Sequence, residues 1–350
     1  MERIQPVVTG LASFGMSGSV FHAPFIDLHD GFVLHSIVER SSDKAKAIYP
    51  DVNTIRSYDE LLSIPEIELV VVNTPDVTHY EFARKALLAG KHVVVEKPFV
   101  FTVTEGEELV ALAEEKGLMC AVYQNRRWDS DFLTVKKIIE SNRLGRIVEF
   151  HSAFQRFRKV IQTDTWKEKS DKRVGLTYNL GSHLIDQAIQ LFGLPTAVFA
   201  DIDILRDGSE VDDYFFIHLF YPQLKVTLRS GFLIMKETPR FYVHGTSGSF
   251  VKYGFDPQEA LLKAGVKPNL LGWGMEESVD WGEIQTEADG IGVSKKIVSE
   301  RGSYRAFYDE IYTALRSGGE PSTSAKNVLP VIRIIEAAFQ SCEEKRVVDL

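Results

Sequence analysis

The sequence has few cysteines, no long apolar run and an excess of negative charge. Its two cysteines, Cys120 and Cys342, fit neither a disulfide framework nor a metal-binding spacing, so a reducing compartment is expected. No apolar stretch approaches the roughly 18 residues that a membrane-spanning helix needs, and the N-terminus lacks the pattern of a signal peptide. The net charge of −9 disfavours a nucleic-acid partner. These features predict a cytoplasmic protein with neither membrane nor nucleic-acid partners and no metal.

The first third of the chain alternates short apolar runs with helical patterns. The runs are β-branched and lie at residues 7–11, 32–38, 69–73, 91–95 and 118–123. Such near-continuous apolar runs are typical of parallel strands buried on both faces. Between them, residues 80–90 and 104–116 have helical spacing, and glycine ends or follows each one. The alternation predicts an α/β Rossmann domain, with a doubly wound parallel sheet, over residues 1–125.

In the second half of the chain the regular alternation of strands and helices ends. Helices are predicted at 129–141, 179–192, 304–317 and 325–344, and strands at 147–154, 197–205, 214–220, 225–230 and 240–244. Residues 245–248 read as a hairpin turn, and 256–298 as a long loop region. Consecutive strands joined by short turns predict an α+β domain over residues 126–350, with a large, mostly antiparallel open sheet. The C-terminal helices are free to pack back on the first domain.

A glycine turn follows the first predicted strand and precedes a helical stretch, which is the context of a dinucleotide-binding fingerprint. Gly15 and Gly18 stand at the second and third glycine positions, and Ser13 stands at the first. The second glycine lets the backbone approach a pyrophosphate, and the third allows close helix packing. The predicted contacts with NAD or NADP at this turn are Ser13, Phe14, Gly15, Met16 and Gly18.

The residues after the second strand give conflicting signals on the cofactor. Glu39 stands where an acidic side chain binds the ribose hydroxyls of NAD. Arg40 and Ser41 follow it and suit the 2′-phosphate of NADP. A carboxylate beside a phosphate is unfavourable unless the Glu39 side chain turns away, and a solvated loop position is the alternative for Arg40. NADP is slightly preferred. Further cofactor contacts are predicted at later strand ends, where ligands of such sheets bind: Asn73, Thr74, Pro75, Glu96 and Lys97.

A lysine and a histidine are candidates for handling a substrate proton. Lys97 follows an apolar strand and precedes Pro98, so its ammonium is expected to point into the ligand crevice and to stabilise a developing alkoxide. His183 lies on a predicted helix, four residues after Asn179, and suits a general base. Asp186 is placed to orient its imidazole. The alternative to a catalytic role is that Lys97 is an ordinary surface lysine and His183 an ordinary core histidine.

With these residues in view, the chain resembles the Gfo/Idh/MocA oxidoreductases. The resemblance rests on Glu96-Lys97-Pro98, on residues 89–93 and on the helix with His183. It implies a Rossmann domain followed by an open-sheet domain that often forms the oligomer interface. It also implies Lys97 and His183 as catalytic residues, and a homo-oligomer, a dimer or a tetramer.

Within the family, the chain is most similar to NADP-dependent scyllo-inositol dehydrogenases, through residues 17–24, 125–132, 157–158 and 251–254. The family usually has aspartate where this chain has Asn179. The predicted function is hydride transfer between nicotinamide and a polyol or sugar hydroxyl, scyllo-inositol being one candidate. A non-catalytic dinucleotide-binding regulator of the same fold is the alternative. The predicted substrate contacts are Asn179, Arg127, Asn125 and Tyr178; Arg127 has a salt bridge as its alternative role. Trp166 is a weaker candidate, as a side chain that packs beside the nicotinamide or the substrate.

Overall fold

A computed structural model describes residues 5–162, 168, 174–288 and 291–350. The chain divides into two compact units, each described separately below. Unit 1 comprises Met1–Asn125, Gln258–Trp273 and Ser303–Leu329, and unit 2 comprises Arg126–Pro257, Gly274–Gly302 and Pro330–Leu350. The domain boundary at residue 125 stays a prediction.

Unit 1 is built on a parallel sheet, as the apolar runs predict. Within the described residues the sheet has six strands in the order β3-β2-β1-β4-β5-β6, and every pair is parallel. The strands are β1 (Val7–Leu11), β2 (Phe32–Val38), β3 (Asn53–Ile55), β4 (Leu69–Val72), β5 (His92–Val95) and β6 (Cys120–Val122). All four residues of β4 are buried, because helices cover both faces of such a sheet.

Unit 1 contains seven whole α-helices among the described residues, and α5 shows the start and stop signals of the sequence most clearly. They are α1 (Ala23–Asp27), α2 (Lys44–Ile48), α3 (Tyr58–Leu62), α4 (His79–Leu88), α5 (Val103–Lys116), α8 (Gln258–Lys263) and α9 (Arg305–Ser317). Thr102 and Glu105 form a capping box at the start of α5. Gly117 ends that helix at φ 63°, a conformation that glycine adopts without strain.

Unit 2 holds the second sheet. Within the described residues it has nine strands in the order β14-β13-β12-β11-β7-β10-β9-β8-β15. The β7–β10 pair is parallel and the other pairs are antiparallel, so the predicted, mostly antiparallel sheet is confirmed. The strands are β7 (Ile147–Gln155), β8 (Ala197–Asp203), β9 (Tyr214–Tyr221), β10 (Leu224–Gly231), β11 (Phe241–Gly245), β12 (Gly248–Lys252), β13 (Glu283–Ala288), β14 (Ile291–Lys296) and β15 (Val348–Asp349).

Alternation along the strands of unit 2 separates a buried face from a more open one. In β9, Phe215, Ile217 and Leu219 are buried, whereas Phe216, His218 and Phe220 are partly exposed. The unit also contains α6 (Ser130–Glu140) and α7 (Ser182–Phe192). The last helix, α10 (Ala325–Glu344), has Pro330 inside it and belongs to unit 2 from that residue on. No helix of the described residues is both long and apolar enough to cross a membrane.

The prediction of a long loop over residues 256–298 is wrong. This stretch contains α8, β13 and β14. Every residue of β14 is exposed, and in β13 the buried Ile284 stands among polar residues, so neither strand has the in-out contrast that marks a strand in a sequence. β3 was missed for a related reason, since its three residues are too few to show a period.

Candidate functional site

The turn after β1 leads directly into a helical stretch. Ser17–His22 form a π-helical turn that continues into α1. A Cβ added to Gly18 would collide with the Ser13 carbonyl and the Asn73 side chain, whereas one added to Gly15 would meet no atom within 4 Å. Gly18 is therefore required for packing, and the backbone at Gly15 is open to a ligand.

Ser13 and Asn73 hold this turn together. The Asn73 Oδ1 accepts from the Ser13 N–H at 3.0 Å, and the Asn73 Nδ2 donates to the Ser13 carbonyl at 2.9 Å. The Ser13 Oγ donates to the Asn73 carbonyl at 2.8 Å. Because β1 and β4 are neighbours in the sheet, these three bonds fix the turn against the adjacent strand end. They explain why serine serves at the first glycine position of the fingerprint.

The turn fits the pyrophosphate of NAD or NADP. The first N–H groups of a helix have no acceptor inside it and carry partial positive charge. Gly15 and Met16 are exposed where the helical stretch begins. At the carboxyl end of β4, Thr74 is partly exposed and Pro75 is exposed. These positions would hold the dinucleotide against backbone groups of this chain.

The Glu39 carboxylate bonds back to Ser42 in the loop that follows it and to the start of α2. Its Oε1 accepts from the Ser42 hydroxyl at 2.6 Å and from the Lys44 N–H at 3.1 Å, and its Oε2 accepts from the Ala45 N–H at 2.9 Å. The side chain thus caps the start of α2 and is only 6% exposed. A ribose contact by Glu39 stays a prediction, but its carboxylate already has three donors.

Arg56, at the end of β3, shapes the same loop. Its guanidinium donates to the carbonyl oxygens of Glu39 at 2.9 Å and Ser42 at 2.7 Å, and it pairs with the Asp43 carboxylate at 2.9 Å. Arg40 is exposed and, among the described residues, has no hydrogen-bond or ion-pair partner. The loop therefore presents the Arg40 guanidinium to solvent, beside the exposed Ser41.

Glu96 is the centre of a buried polar network in unit 1. Its Oε1 accepts from the Ser17 hydroxyl and lies 3.0 Å from the His22 Nε2, and its Oε2 accepts from the Lys97 N–H at 3.1 Å. The His22 Nδ1 lies 2.7 Å from the Tyr308 hydroxyl. Although burial opposes it, the hydrogen bonds from His22 and Ser17 lower the pKa of Glu96 to about 2. Glu96 therefore ties the glycine turn to the end of β5.

Lys97 lies two residues after the end of β5, at the carboxyl edge of the parallel sheet. Its side chain is partly exposed, and the peptide bond to Pro98 is cis. In an open parallel sheet, ligands bind outside this edge. The catalytic role of Lys97 stays a prediction.

In unit 2, the predicted helix over 179–192 starts differently. Thr177–Gly181 form a π-helical turn, and α7 begins only at Ser182. Such turns occur often at functional sites. Asn179 is partly exposed, and its N–H donates to the Gly175 carbonyl at 3.1 Å. His183 is 3% exposed in the first turn of α7.

Arg127 and Asp186 form a buried ion pair in unit 2. The Arg127 Nε donates to Oδ2 at 2.8 Å, and its Nη2 donates to Oδ1 at 2.6 Å. Their side chains are 5% and 3% exposed. This geometry favours the salt-bridge alternative for Arg127 over a substrate contact, and it makes Asp186 the partner of Arg127. The pair anchors α7 to the turn that begins at Asn125.

The remaining predicted site residues lie in buried surroundings. Tyr178 is 5% exposed and stacks on Phe339, with 5.7 Å between ring centroids, and Asn125 is 7% exposed. Their substrate contacts stay predictions. Trp166 lies outside the described residues. Among the described residues, no group of three or more His, Cys, Asp or Glu side chains could hold a metal ion.

Sequence reasoning missed several residues that hold the site. Arg56 follows a strand that was itself not predicted, and Tyr308 lies far from Glu96 in the sequence. His22 is adjacent to the glycine turn, where the sequence favours a packing or capping role, and it is buried between Glu96 and Tyr308. No local pattern could have linked Tyr308 to it.

Comparison with known proteins identifies the family. Residues 6–124 match the model of the oxidoreductase family NAD-binding Rossmann fold (GFO_IDH_MocA), and residues 136–350 match that of its C-terminal alpha/beta domain. The chain therefore belongs to the Gfo/Idh/MocA oxidoreductase family and has an NAD(P)-binding Rossmann fold.

Individual relatives span the whole chain. The chain is 39% identical over 349 residues to scyllo-inositol 2-dehydrogenase (NADP(+)) IolW of Bacillus subtilis (strain 168), and the alignment covers 100% of this chain and 97% of that protein. The crystal structure of an oxidoreductase from Bacteroides fragilis NCTC 9343 matches this chain with a TM-score of 0.91 and 54% sequence identity, and the match covers 99% of this chain and 100% of that one. The structure of YvaA from Bacillus subtilis has a TM-score of 0.95 and 38% identity, with 100% of both chains covered.

Proposed function

We propose that this oxidoreductase is an NADP-preferring dehydrogenase that oxidises a CH–OH group of a polyol or sugar, with scyllo-inositol as the first candidate substrate. The observation that carries the proposal is the full-length similarity to an NADP-dependent scyllo-inositol dehydrogenase, in a chain that has Lys97 after β5 and His183 on α7. A neutral polyol needs several hydrogen-bonding partners rather than a strong charge match.

The proposed chemistry assigns one role to each residue. The Lys97 ammonium donates a hydrogen bond to the reacting oxygen and stabilises its developing negative charge. The His183 imidazole takes the hydroxyl proton. The Asn179 side chain binds a neighbouring hydroxyl. NADP held at the glycine turn by Gly15 and Met16 would supply the hydride acceptor, so that the alcohol would lose its proton to His183 and its hydride to the cofactor and become a carbonyl.

NADP is favoured by the loop after β2. The Glu39 carboxylate faces the start of α2, so the unfavourable contact between a carboxylate and a 2′-phosphate is avoided. Arg40 and Ser41 are both exposed beside it. A guanidinium and a hydroxyl suit the three oxygens of a phosphate.

The test measures cofactor reduction with NADP⁺ and NAD⁺ against scyllo-inositol, myo-inositol and glucose. Lys97→Met should lower kcat about 10²- to 10³-fold, because it removes the donor proposed to stabilise the developing negative charge. Lys85→Met is the matched control, since Lys85 is an exposed lysine of α4 paired with Glu81. Full turnover by Lys97→Met would contradict the mechanism. Cofactor binding without turnover of any of these substrates would favour the non-catalytic regulator.

A homo-oligomer stays a prediction from the family. The open face of the unit 2 sheet carries partly exposed aromatic side chains, including Phe216, Phe220 and Tyr242. A second copy of the chain would cover them. Light scattering on the purified protein measures the mass directly, and a monomer at all concentrations would contradict this expectation.

A further inference from the structure

Asp212 lies against the start of the π-helical turn that precedes α7. Its Oδ2 accepts from the Thr177 N–H at 2.7 Å and from the Thr177 hydroxyl at 2.7 Å. Its backbone carbonyl accepts from the Leu176 N–H at 2.8 Å. Three hydrogen bonds thus join one residue before β9 to the two residues at which the helical stretch begins.

Gly175 completes this contact. A Cβ added there would collide with the Asp212 carboxylate, so the close approach requires glycine. The Gly175 carbonyl in turn accepts from the Asn179 N–H at 3.1 Å. The position of the Asp212 carboxylate therefore fixes the backbone one turn before Asn179, and the same helical stretch continues to His183.

We infer that Asp212 is a positioning residue that sets the place of Asn179 and His183 by holding the Thr177 end of their helical stretch. This inference rests on the proposed function for its catalytic consequence, but the holding contact can be tested without turnover. Asp212 acts through its hydrogen bonds with Thr177.

The charge of Asp212 makes the contact sensitive to pH. Burial and the neighbouring Asp213 raise the pKa of Asp212 to about 6, although the bonds from Thr177 act in the opposite direction. Asp213 is paired with the Arg206 Nε at 2.8 Å, and Arg206 also holds Glu168 at 2.7 Å. Because this pKa lies above the ordinary aspartate value, the closed turn binds the Asp212 proton more tightly than the opened turn does. The turn should therefore be held most firmly below about pH 4 and lose part of this stabilisation as the pH rises to about 6.

Three variants separate the possibilities. Asp212→Asn keeps the shape and one acceptor but removes the charge. Thr177→Val removes the hydroxyl donor and keeps the backbone N–H. Asp207→Asn is the matched control, because Asp207 is exposed in the loop before Asp212.

The first measurement is hydrogen–deuterium exchange of the full chain, read by mass spectrometry on peptides covering residues 174–183 from pH 5 to 8 and corrected for intrinsic rates. The wild type should lose protection as the pH rises from 5 through about 6. Asp212→Asn is neutral at every pH, so it should show no pH dependence and, at pH 7.5, protection at or above that of the wild type. Thr177→Val should show about tenfold lower protection at pH 7.5, as expected for loss of a charge-assisted bond. It should also move the midpoint to higher pH, because a bond that favours the ionised form is gone. Asp207→Asn should match the wild type.

The second measurement is the pH profile of kcat/KM on whichever polyol is oxidised. The component of the profile that falls as the pH rises through about 6 should move to higher pH in Thr177→Val and be absent in Asp212→Asn. Unchanged protection and an unchanged midpoint in both variants would overturn the inference. If no polyol is oxidised, the proposed function fails on its own and the exchange experiment still decides the role of Asp212.

Discussion

Replacing Arg40 by alanine should weaken NADP binding and leave NAD binding nearly unchanged. Arg40 lies two residues after the end of β2, is exposed and has no partner among the described residues. The preceding Glu39 is turned into the start of α2 and is 6% exposed. The guanidinium is therefore available to a 2′-phosphate, a group that distinguishes NADP from NAD.

The size of the effect follows from the exposure of Arg40. A hydrogen bond to a charged group contributes about 1.5–3 kcal/mol. Because solvent screens an exposed side chain, the lower part of this range, about 1.5–2 kcal/mol, applies here. At about 1.4 kcal/mol per tenfold change in affinity, the dissociation constant of NADP should rise about 10- to 30-fold. The difference should shrink as salt is added.

Calorimetric titration with each dinucleotide measures the effect without a substrate. Lys116→Ala is the matched control, since it also removes one exposed positive charge. Lys116 lies at the end of α5, and a helix that follows a parallel strand ends at the opposite edge of the sheet from the ligands. An unchanged NADP affinity in Arg40→Ala, or an equal loss for NADP and NAD, would refute the reasoning.

Three other predictions concern the buried polar groups. The pKa of Glu96 is lowered to about 2, so its carboxylate stabilises the fold above the ordinary pKa of glutamate and loses this effect as the pH falls toward 2. In urea unfolding, the free energy of unfolding of the wild type should therefore fall by about 2 kcal/mol more than that of Glu96→Gln between pH 7 and pH 3. Tyr308→Phe leaves the His22 Nδ1 without its partner, so the free energy of unfolding should fall by about 1–3 kcal/mol, and an unchanged value would mean that His22 finds another donor. Arg127→Met should lower it by about 3–5 kcal/mol, with most of the loss recovered when Asp186→Leu is added; no recovery would argue against a mainly structural pair.

The sequence predicts the framework of unit 1 well because buried parallel strands are apolar on both faces. β4 and β5 are runs of leucine, valine and histidine bounded by turn signals, so their existence follows from composition alone. β3 has three residues, and only Ile55 among them is buried. A strand of that length has no period to detect, and its neighbour β2 decides whether it forms.

The sequence predicts the candidate site less completely, because chemistry-bearing residues have more than one use. The fingerprint places Glu39 at the ribose position, but whether its carboxylate faces a ligand or α2 depends on the Lys44 and Ala45 N–H groups. The spacing of Asn179 and His183 predicts one regular helix, whereas in the structure Asn179 lies in a π-helical turn and His183 lies in the first turn of α7. Gly175 and Asp212 determine this start, and they are 37 positions apart in the sequence. No local pattern carries such a contact.

Several side chains at the expected ligand positions instead hold the backbone that would touch a ligand. Glu39 holds the loop with Arg40, Asn73 holds the glycine turn, and Glu96 holds the start of the segment with Lys97. Since these groups are buried and already hydrogen-bonded, replacing them should lower stability and cofactor affinity together. Replacing the exposed Arg40 should lower affinity alone. Thermal unfolding measures the loss of stability of each variant, and titration measures its loss of cofactor affinity. The ratio of these two losses distinguishes a residue that stabilises the backbone of the site from one that contacts the dinucleotide. A loss of stability in an Arg40 variant as large as in a Glu96 variant would contradict the distinction.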